Sequence, residues 1–438
     1  MGLSSCSSPF VLVSLRTVWQ LGSSLLLLGQ SVRAQVAPSR PFPQVVALDS
    51  VAVAPQATAS QGWLLLDYDL QTELDGAVQN LYNFQFERAE KQFRSLRRRY
   101  PQHPLPYFLL ALSTWWRLAP YPPADTRYDP RFYAYLDSAE TKAHALLRAD
   151  QHNYEACFLL AAAYGYEARL ASDRHQWRRA TVASRRALDY LQQSREANGL
   201  SAEFQLGYGL FDYYASWISA EYPWLRPVLF FFPKGNRERG LVALRQISEQ
   251  AFYARTEATY FRVLILSDPR EQQAAAALPL ARQLATAFPG NSVFAVEYAR
   301  LAFDQGQWLE AETAAQAILT KCAQGLVGYE ARSGRTATYL LAYLRQHRHR
   351  DLVGATDLYR RCLVFAETAQ LTQGGYYVFA AATLAELAVR QANVTAARRY
   401  YTLVLEHAPA ARPRLSGHGP TYASSRPSDQ LFFLVVLK

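Results

Sequence analysis

The sequence predicts an all-α fold, a solenoid of antiparallel helix pairs with irregular insertions. Three observations point there. Between Ala258 and Gly325 two segments repeat at a fixed offset of 34 residues, Ala277, Ala281 and Leu284 falling on Ala311, Ala315 and Ile318, and Pro289 on Ala323. A small residue followed four and then three places later puts one narrow apolar stripe on a helix. Upstream of each stripe lies a second, Phe261, Leu264 and Ile265 in one segment and Ala295, Tyr298, Ala299 and Ala302 in the other, so each segment reads as two helices and a turn. Composition agrees: Ala, Leu, Arg and Tyr are abundant and long β-branched runs are scarce, which favours helix. Length is the third observation. A compact fold would divide 438 half-apolar residues into two or three domains. A solenoid escapes that limit because each unit packs only on its neighbours.

Residues 1–34 read as a secretory signal: Arg16 precedes an apolar block from Val18 to Gly29, and Val32-Arg33-Ala34 offers a cut before Gln35. The block is shorter than the roughly 20 residues of a spanning helix, so retention as an anchor is the second reading. Residues 35–61, rich in Pro, Ala, Val and Ser with almost no charge, read as a linker, 62–412 as the solenoid and 413–438 as a tail.

Eight units follow in order. The first has Leu74, Ala77 and Leu81, then Ala89, Phe93, Leu96 and the terminating Pro101. The second has Tyr107, Leu110 and Ala111, an interruption from Arg117 to Phe132, then Ala139, Ala143 and Leu146. In the third, Cys157, Leu160, Ala161 and Tyr164 are separated from Ala180, Ser184 and Ala187 by an expected insertion of about seven residues. The fourth pairs Leu206, Gly207 and Leu210 with Gly240, Leu244 and Ile247 across an atypical segment, Phe211 to Arg239. The fifth and sixth are the regular pair. The seventh uses Tyr339, Ala342 and Tyr343, then Ala355, Tyr359 and Cys362, after a stretch holding Gly325, Gly328 and Gly334. The eighth uses Leu384 and Ala385, then Ala397, Tyr401, Val404 and Pro409, and an apolar run from Leu431 to Leu437 is expected to dock on the last helix.

At this period and residue pattern the units resemble the tetratricopeptide (TPR) repeat. The resemblance implies a right-handed solenoid that binds a protein or peptide in the concave groove of its first helices. The stretch Gly207 to Leu244, with its aromatics, Phe230-Phe231-Phe232 and Pro233-Lys234-Gly235-Asn236-Arg237, resembles the tetratricopeptide proteins related to the yeast inclusion-body-clearance protein, with Asn236 where those have Asp. No activity is carried over by it.

Projecting the flanks of the first-helix stripes gives the expected groove: Trp115, Trp116, Phe158, Tyr166, Phe204, Tyr208 and Phe211 in the N-terminal half, and Arg262, Arg300, Arg348, Glu386 and Arg390 in the C-terminal half. Aromatics and arginines dominate binding hot spots. The alternative is that these are ordinary helix-packing and surface residues.

The net charge of +10 is spread along the chain, so nucleic acid is not an expected partner. His347 and His349 diverge on a helix, and no metal or cofactor is expected. The Gly-x-Ser-x-Gly elbow, His-Glu-x-x-His and a phosphate-binding loop ending in Gly-Lys-Ser/Thr are missing, so an enzyme is not expected. The expected function is therefore that of an exported, periplasmic bacterial binding scaffold. The alternatives are an envelope-assembly accessory docked on a membrane complex, and an enzyme with a site in the aromatic segment 211–239, which buried ionisable groups near Tyr214 and Arg237 would favour.

Overall fold

In a computed structural model, residues 62–197, 199–221 and 234–408 are described, with the backbone alone at 218–221. They belong to one compact unit, Val51–Lys438. The expected leader, the linker 35–61, the tail, Pro409, Tyr222, Trp224 and Phe230 to Phe232 lie outside the described residues.

Among the described residues there are sixteen α-helices and no strand. They form eight consecutive pairs: α1 (Tyr68–Tyr82) with α2 (Phe86–Arg99), α3 (Leu105–Leu118) with α4 (Asp129–Ala149), α5 (Tyr154–Asp173) with α6 (Trp177–Gln193), and α7 (Leu206–Glu221) with α8 (Arg237–Gln250). Then come α9 (Arg255–Leu266) with α10 (Ala274–Ala287), α11 (Ser292–Asp304) with α12 (Trp308–Ala323), α13 (Ala331–His347) with α14 (Leu352–Thr368), and α15 (Gly375–Arg390) with α16 (Val394–His407). The fold is thus the TPR-like helical solenoid the periodicity predicts. Odd-numbered helices touch the next odd-numbered one in α1 and α3, α3 and α5, α11 and α13, and α13 and α15. The first helices of the pairs therefore line the inner side of the array.

Four pairs turn in the same way. Phe84, His175, Gly306 and Ala392 adopt positive φ of 60°, 58°, 71° and 53°. The next residue's N–H then reaches back to a carbonyl of the preceding helix: Gln85 to Asn80, Gln176 to Ala171 and Gln307 to Ala302 at 2.8 Å, and Asn393 to Ala388 at 2.9 Å. This left-handed C-terminal turn satisfies carbonyls the helix leaves open, and glycine normally holds its strained position. Here only one of the four is glycine. Asparagine and aspartate begin the helices that follow: the side chains of Asn153, Asn236, Asn291, Asp351 and Asn393 accept backbone N–H bonds at the starts of α5, α8, α11, α14 and α16.

Two expectations are corrected locally. The extra residues of the third unit are not an insertion; they lengthen α5 to 20 residues, and the turn to α6 stays short. In the eighth unit Tyr400 is buried and Tyr401, four residues after Ala397, is exposed, since among the described residues no helix follows α16 to cover it.

The largest apolar core runs from Trp63 to Leu344 and joins units far apart in sequence. Trp116, 1% exposed, sits at its centre, its ring 5.5 Å from Tyr82, 5.8 Å from Tyr260 and 5.3 Å from Phe294. The turn after α1 is held against the start of α11: Gly290 N–H donates to Asn83 Oδ1 at 2.6 Å, and Asn291 Nδ2 donates to the Tyr82 carbonyl at 2.9 Å. Below it, Tyr121 Oη donates to Glu330 at 3.2 Å, and Arg332 Nη1 donates to the Tyr121 carbonyl at 3.2 Å. These contacts join the first pair to the sixth and the second to the seventh across the array. A second core runs from α11 to α16, and a third lies around Tyr213, Leu244 and Ile265.

Candidate binding face

The twelve residues expected to line one groove fall into three environments. Trp115, Trp116, Phe158 and Phe204 are buried in the large core and present no surface. Tyr166 is half-buried against that core, as are Tyr208 and Phe211 elsewhere, and Tyr208 Oη donates to the Leu191 carbonyl at 2.7 Å. Arg262 is half-buried with Nη1 2.6 Å from Ser248 Oγ, and burial pulls its guanidinium below the usual value. Arg300 is buried, whereas Arg348, Glu386 and Arg390 are exposed.

What occupies the middle of the N-terminal half is a buried carboxylate the periodicity did not reveal. Glu257, on α9, accepts from Trp116 Nε1 at 2.7 Å and from Tyr82 Oη at 3.4 Å, and also bonds Tyr166. Burial raises its pKa against these bonds and the nearby Arg169 charge, and pushes Tyr82 and Tyr166 well above the usual phenol value. Arg169 itself lies over Trp115 at 4.8 Å and Phe261 at 5.7 Å. Other buried carboxylates are tied into the frame in the same way. Glu203 accepts the backbone N–H groups of Phe252, Tyr253 and Ala254, the last two at 2.8 and 2.9 Å. Glu90 takes Ser113 at 3.0 Å together with Arg94, Arg117 and Arg131.

Near the aromatic segment, Tyr213 Oη donates to Glu271 at 2.9 Å and Arg237 Nε donates to the same carboxylate at 3.1 Å. Asp212 pairs with Arg239, and Arg270 lies over Trp217 at 4.8 Å. Ionisable groups therefore do gather near Tyr214 and Arg237, with Tyr213, Asp212 and Glu271 buried, and each of these three is tied to a neighbour. Burial raises Tyr213 far above the phenol range, so it holds its proton and ties α7 to the loop after α9. His349 is 3.0 Å from Glu312, and His347 packs on Tyr343 at 4.3 Å. Among the described residues no three His, Cys, Asp or Glu side chains group as metal ligands, and no helix is long and apolar enough to cross a membrane. Cys157, Cys322 and Cys362 are free thiols; burial pushes Cys157 up to about 11 and Cys362 up to about 12, away from the reactive thiolate.

The C-terminal half differs in exposing side chains on the inner helix α15, Phe379, Glu386 and Arg390 among them. Arg300 on α11 pairs with Glu297 at 2.9 Å and Asp304 at 2.7 Å; burial works against its charge, but these carboxylates carry it well above its ordinary value. Beside it, Tyr339 on α13 and Tyr376 on α15 lie 4.7 Å apart, with Phe379 6.4 Å from Tyr339. Arg335 lies over Tyr376 at 5.7 Å and donates Nη1 to the Leu371 carbonyl at 3.2 Å. Among the described residues its Nε has no hydrogen-bond partner and no carboxylate pairs with it, and burial lowers its pKa. Phe379 is 40% exposed and shares a face of α15 with exposed Glu386 and Arg390, seven and eleven residues on. One surface therefore combines an aromatic shelf, a half-buried guanidinium, and charges of both signs.

Of the groove expected from the sequence, Glu386 and Arg390 lie exposed on this helix and the buried Arg300 lies near Tyr376, while Arg348 stands apart over Trp308 at 5.8 Å. Arg335, Tyr376 and Phe379 were not singled out by sequence. The available signal was Phe379 spaced seven residues from Glu386, a helix face that is apolar at one end and charged at the other.

No protein-family model and no curated protein sequence matches the chain. Solved structures of the human IFIT1 dimer are similar. The one with PPP-AAAA has 14% identity and a TM-score of 0.37, covering 73% of this chain and 68% of that one. The one with m7Gppp-AAAA has 15% identity, the same coverage and a TM-score of 0.37. A likeness this distant gives no residue correspondence. Both of those structures nevertheless hold an oligonucleotide, which conflicts with excluding nucleic acid as a partner, and that exclusion is withdrawn.

Proposed function

We propose that the protein is a non-enzymatic helical-repeat scaffold that holds a peptide or protein surface against the inner face of α13 and α15. One observation carries this reading: the inner aromatics of the N-terminal half are buried or half-buried, Trp116 at 1% exposure, whereas Phe379 is left 40% exposed on the helix that carries Tyr376, which Arg335 overlies. Aromatic and arginine side chains are the usual anchors of such contacts, since they bury much area at little entropic cost. The ionisable groups of the N-terminal core already have structural partners, which supports a scaffold over a reaction centre.

The reading of an exported protein rests on Arg16, the apolar block 18–29 and Val32-Arg33-Ala34. Purification from the periplasm with an N-terminus at Gln35 supports it, and a cytoplasmic product retaining Met1 counts against it.

The binding face is tested by crosslinking in extracts with wild type, Phe379→Ala and Arg390→Glu. Loss of the wild-type adducts in both variants, with helix content unchanged, is the expected result. Adducts that persist in both place the binding surface elsewhere.

A further inference from the structure

Each second helix of a pair normally finds a neighbour in the first helix of the next pair, as α2 does with α3, α12 with α13 and α14 with α15. For α16 no such helix exists among the described residues. Its outer side carries Val394, Tyr401 and Leu405 at 62%, 45% and 82% exposure. Their spacings of seven and four residues place them in one stripe. A solenoid needs a polar outer face on its terminal unit to stay soluble, and a continuous apolar stripe marks a surface that something covers.

We propose that the chain's own segment Leu431–Leu437 covers it. This segment reads Leu-Phe-Phe-Leu-Val-Val-Leu, seven apolar residues in succession, and alone in water it is as poorly solvated as the stripe. Residues 409–430 join it to the end of α16. Extended, they reach on the order of 70 Å, whereas the 14 residues of α16 span about 21 Å. The connection therefore brings the segment to any part of the stripe without strain, and tethering gives it an effective concentration that no separate partner matches. The segment takes the place of the missing neighbour helix, and the pair α15 and α16 gains a cap independent of the inner face.

The test uses the full chain with p-benzoylphenylalanine incorporated at position 405, an exposed site that tolerates the larger ring. Irradiation is expected to give an intramolecular adduct mapping to 431–437. The double substitution Phe432→Asp and Leu434→Asp, which alters only the tail, is expected to abolish that adduct and to make the amides of 398–407 exchange at least several-fold faster. Adducts between two copies, adducts elsewhere in the chain, no adduct, or exchange that the tail substitutions leave unchanged would overturn the proposal.

Discussion

Gly290 lies so close to Asn83 that a β-carbon on it would stand 2.2 Å from the Asn83 carbonyl oxygen, while its own N–H donates to Asn83 Oδ1 at 2.6 Å. Backbone on both sides leaves neither partner free to yield. Gly290→Ala is therefore expected to destabilise the protein by about 1–3 kcal/mol, the usual cost of overpacking. Asn83→Ala, which removes one acceptor, costs about 1 kcal/mol. Urea unfolding followed by circular dichroism measures both, and a neutral Gly290→Ala would show that the two turns do not touch.

The turn strain at Ala392 can be relieved. Its φ of 53° sets an L-residue in the left-handed region, and the site is exposed. Ala392→Gly is expected to raise stability by roughly 0.5–1 kcal/mol, and Gly306→Ala, at φ 71°, to lower it by a similar amount. Opposite signs in thermal melts are the signature.

Glu257 holds the centre of the large core together through Trp116 and Tyr82. Glu257→Leu leaves the Trp116 indole N–H buried without its acceptor, and the expected loss is about 3–5 kcal/mol. Glu257→Gln keeps an acceptor oxygen and is expected to cost less than half as much. The ranking of the two variants by chemical denaturation is the check.

Glu140 provides a pH dependence. Burial first, and the Glu167 carboxylate second, raise it from 4.5 to about 7, against a hydrogen bond from Tyr164 and the Arg186 charge; Asp137 adds to the rise. A carboxyl raised on folding is protonated in the native state while the unfolded chain has already released its proton. Its contribution is thus most favourable below pH 4.5 and declines as pH rises toward 7, then levels. With partial solvent screening the decline is about 1–2 kcal/mol. Glu140→Gln is expected to remove that slope, leaving it more stable than wild type at pH 8 relative to pH 5. Urea midpoints at the two pH values measure it.

The helix pairs were legible because burial repeats with the period of the helix: Ala89, Ala180, Ala311 and Ala397 mark second helices and all are buried. Turns were less so. The residues at positive φ are Phe, His, Gly and Ala, so the glycine signal fails three times, although the following Gln85-Phe86, Gln176-Trp177 and Gln307-Trp308 form a recurring pair that marks the turn equally well. The contact of Asn83 with Gly290 has no local signal at all, because it joins residues 207 apart. A projection from single helices could place Trp116 and Arg390 on inner faces but not tell that one is enclosed and the other open to solvent.

The tie between the α1 turn and the start of α11 also changes how the array comes apart. A simple repeat chain unfolds from either end, one unit after another, since only neighbours hold it. Here the first six pairs share long-range contacts, and forming them requires closing a loop of about 200 residues, a slow step in folding. The last two pairs follow that contact in sequence and pack in the second core, which they share with α11 and α12, while Glu330 and Arg332 at the start of α13 are still bonded to Tyr121. The final pair, α15 and α16, lies beyond these ties and is expected to open with the least free energy, which hydrogen exchange would register as faster exchange there. A partner engaging Phe379 and Arg390 therefore meets the part of the molecule whose order it is best able to alter.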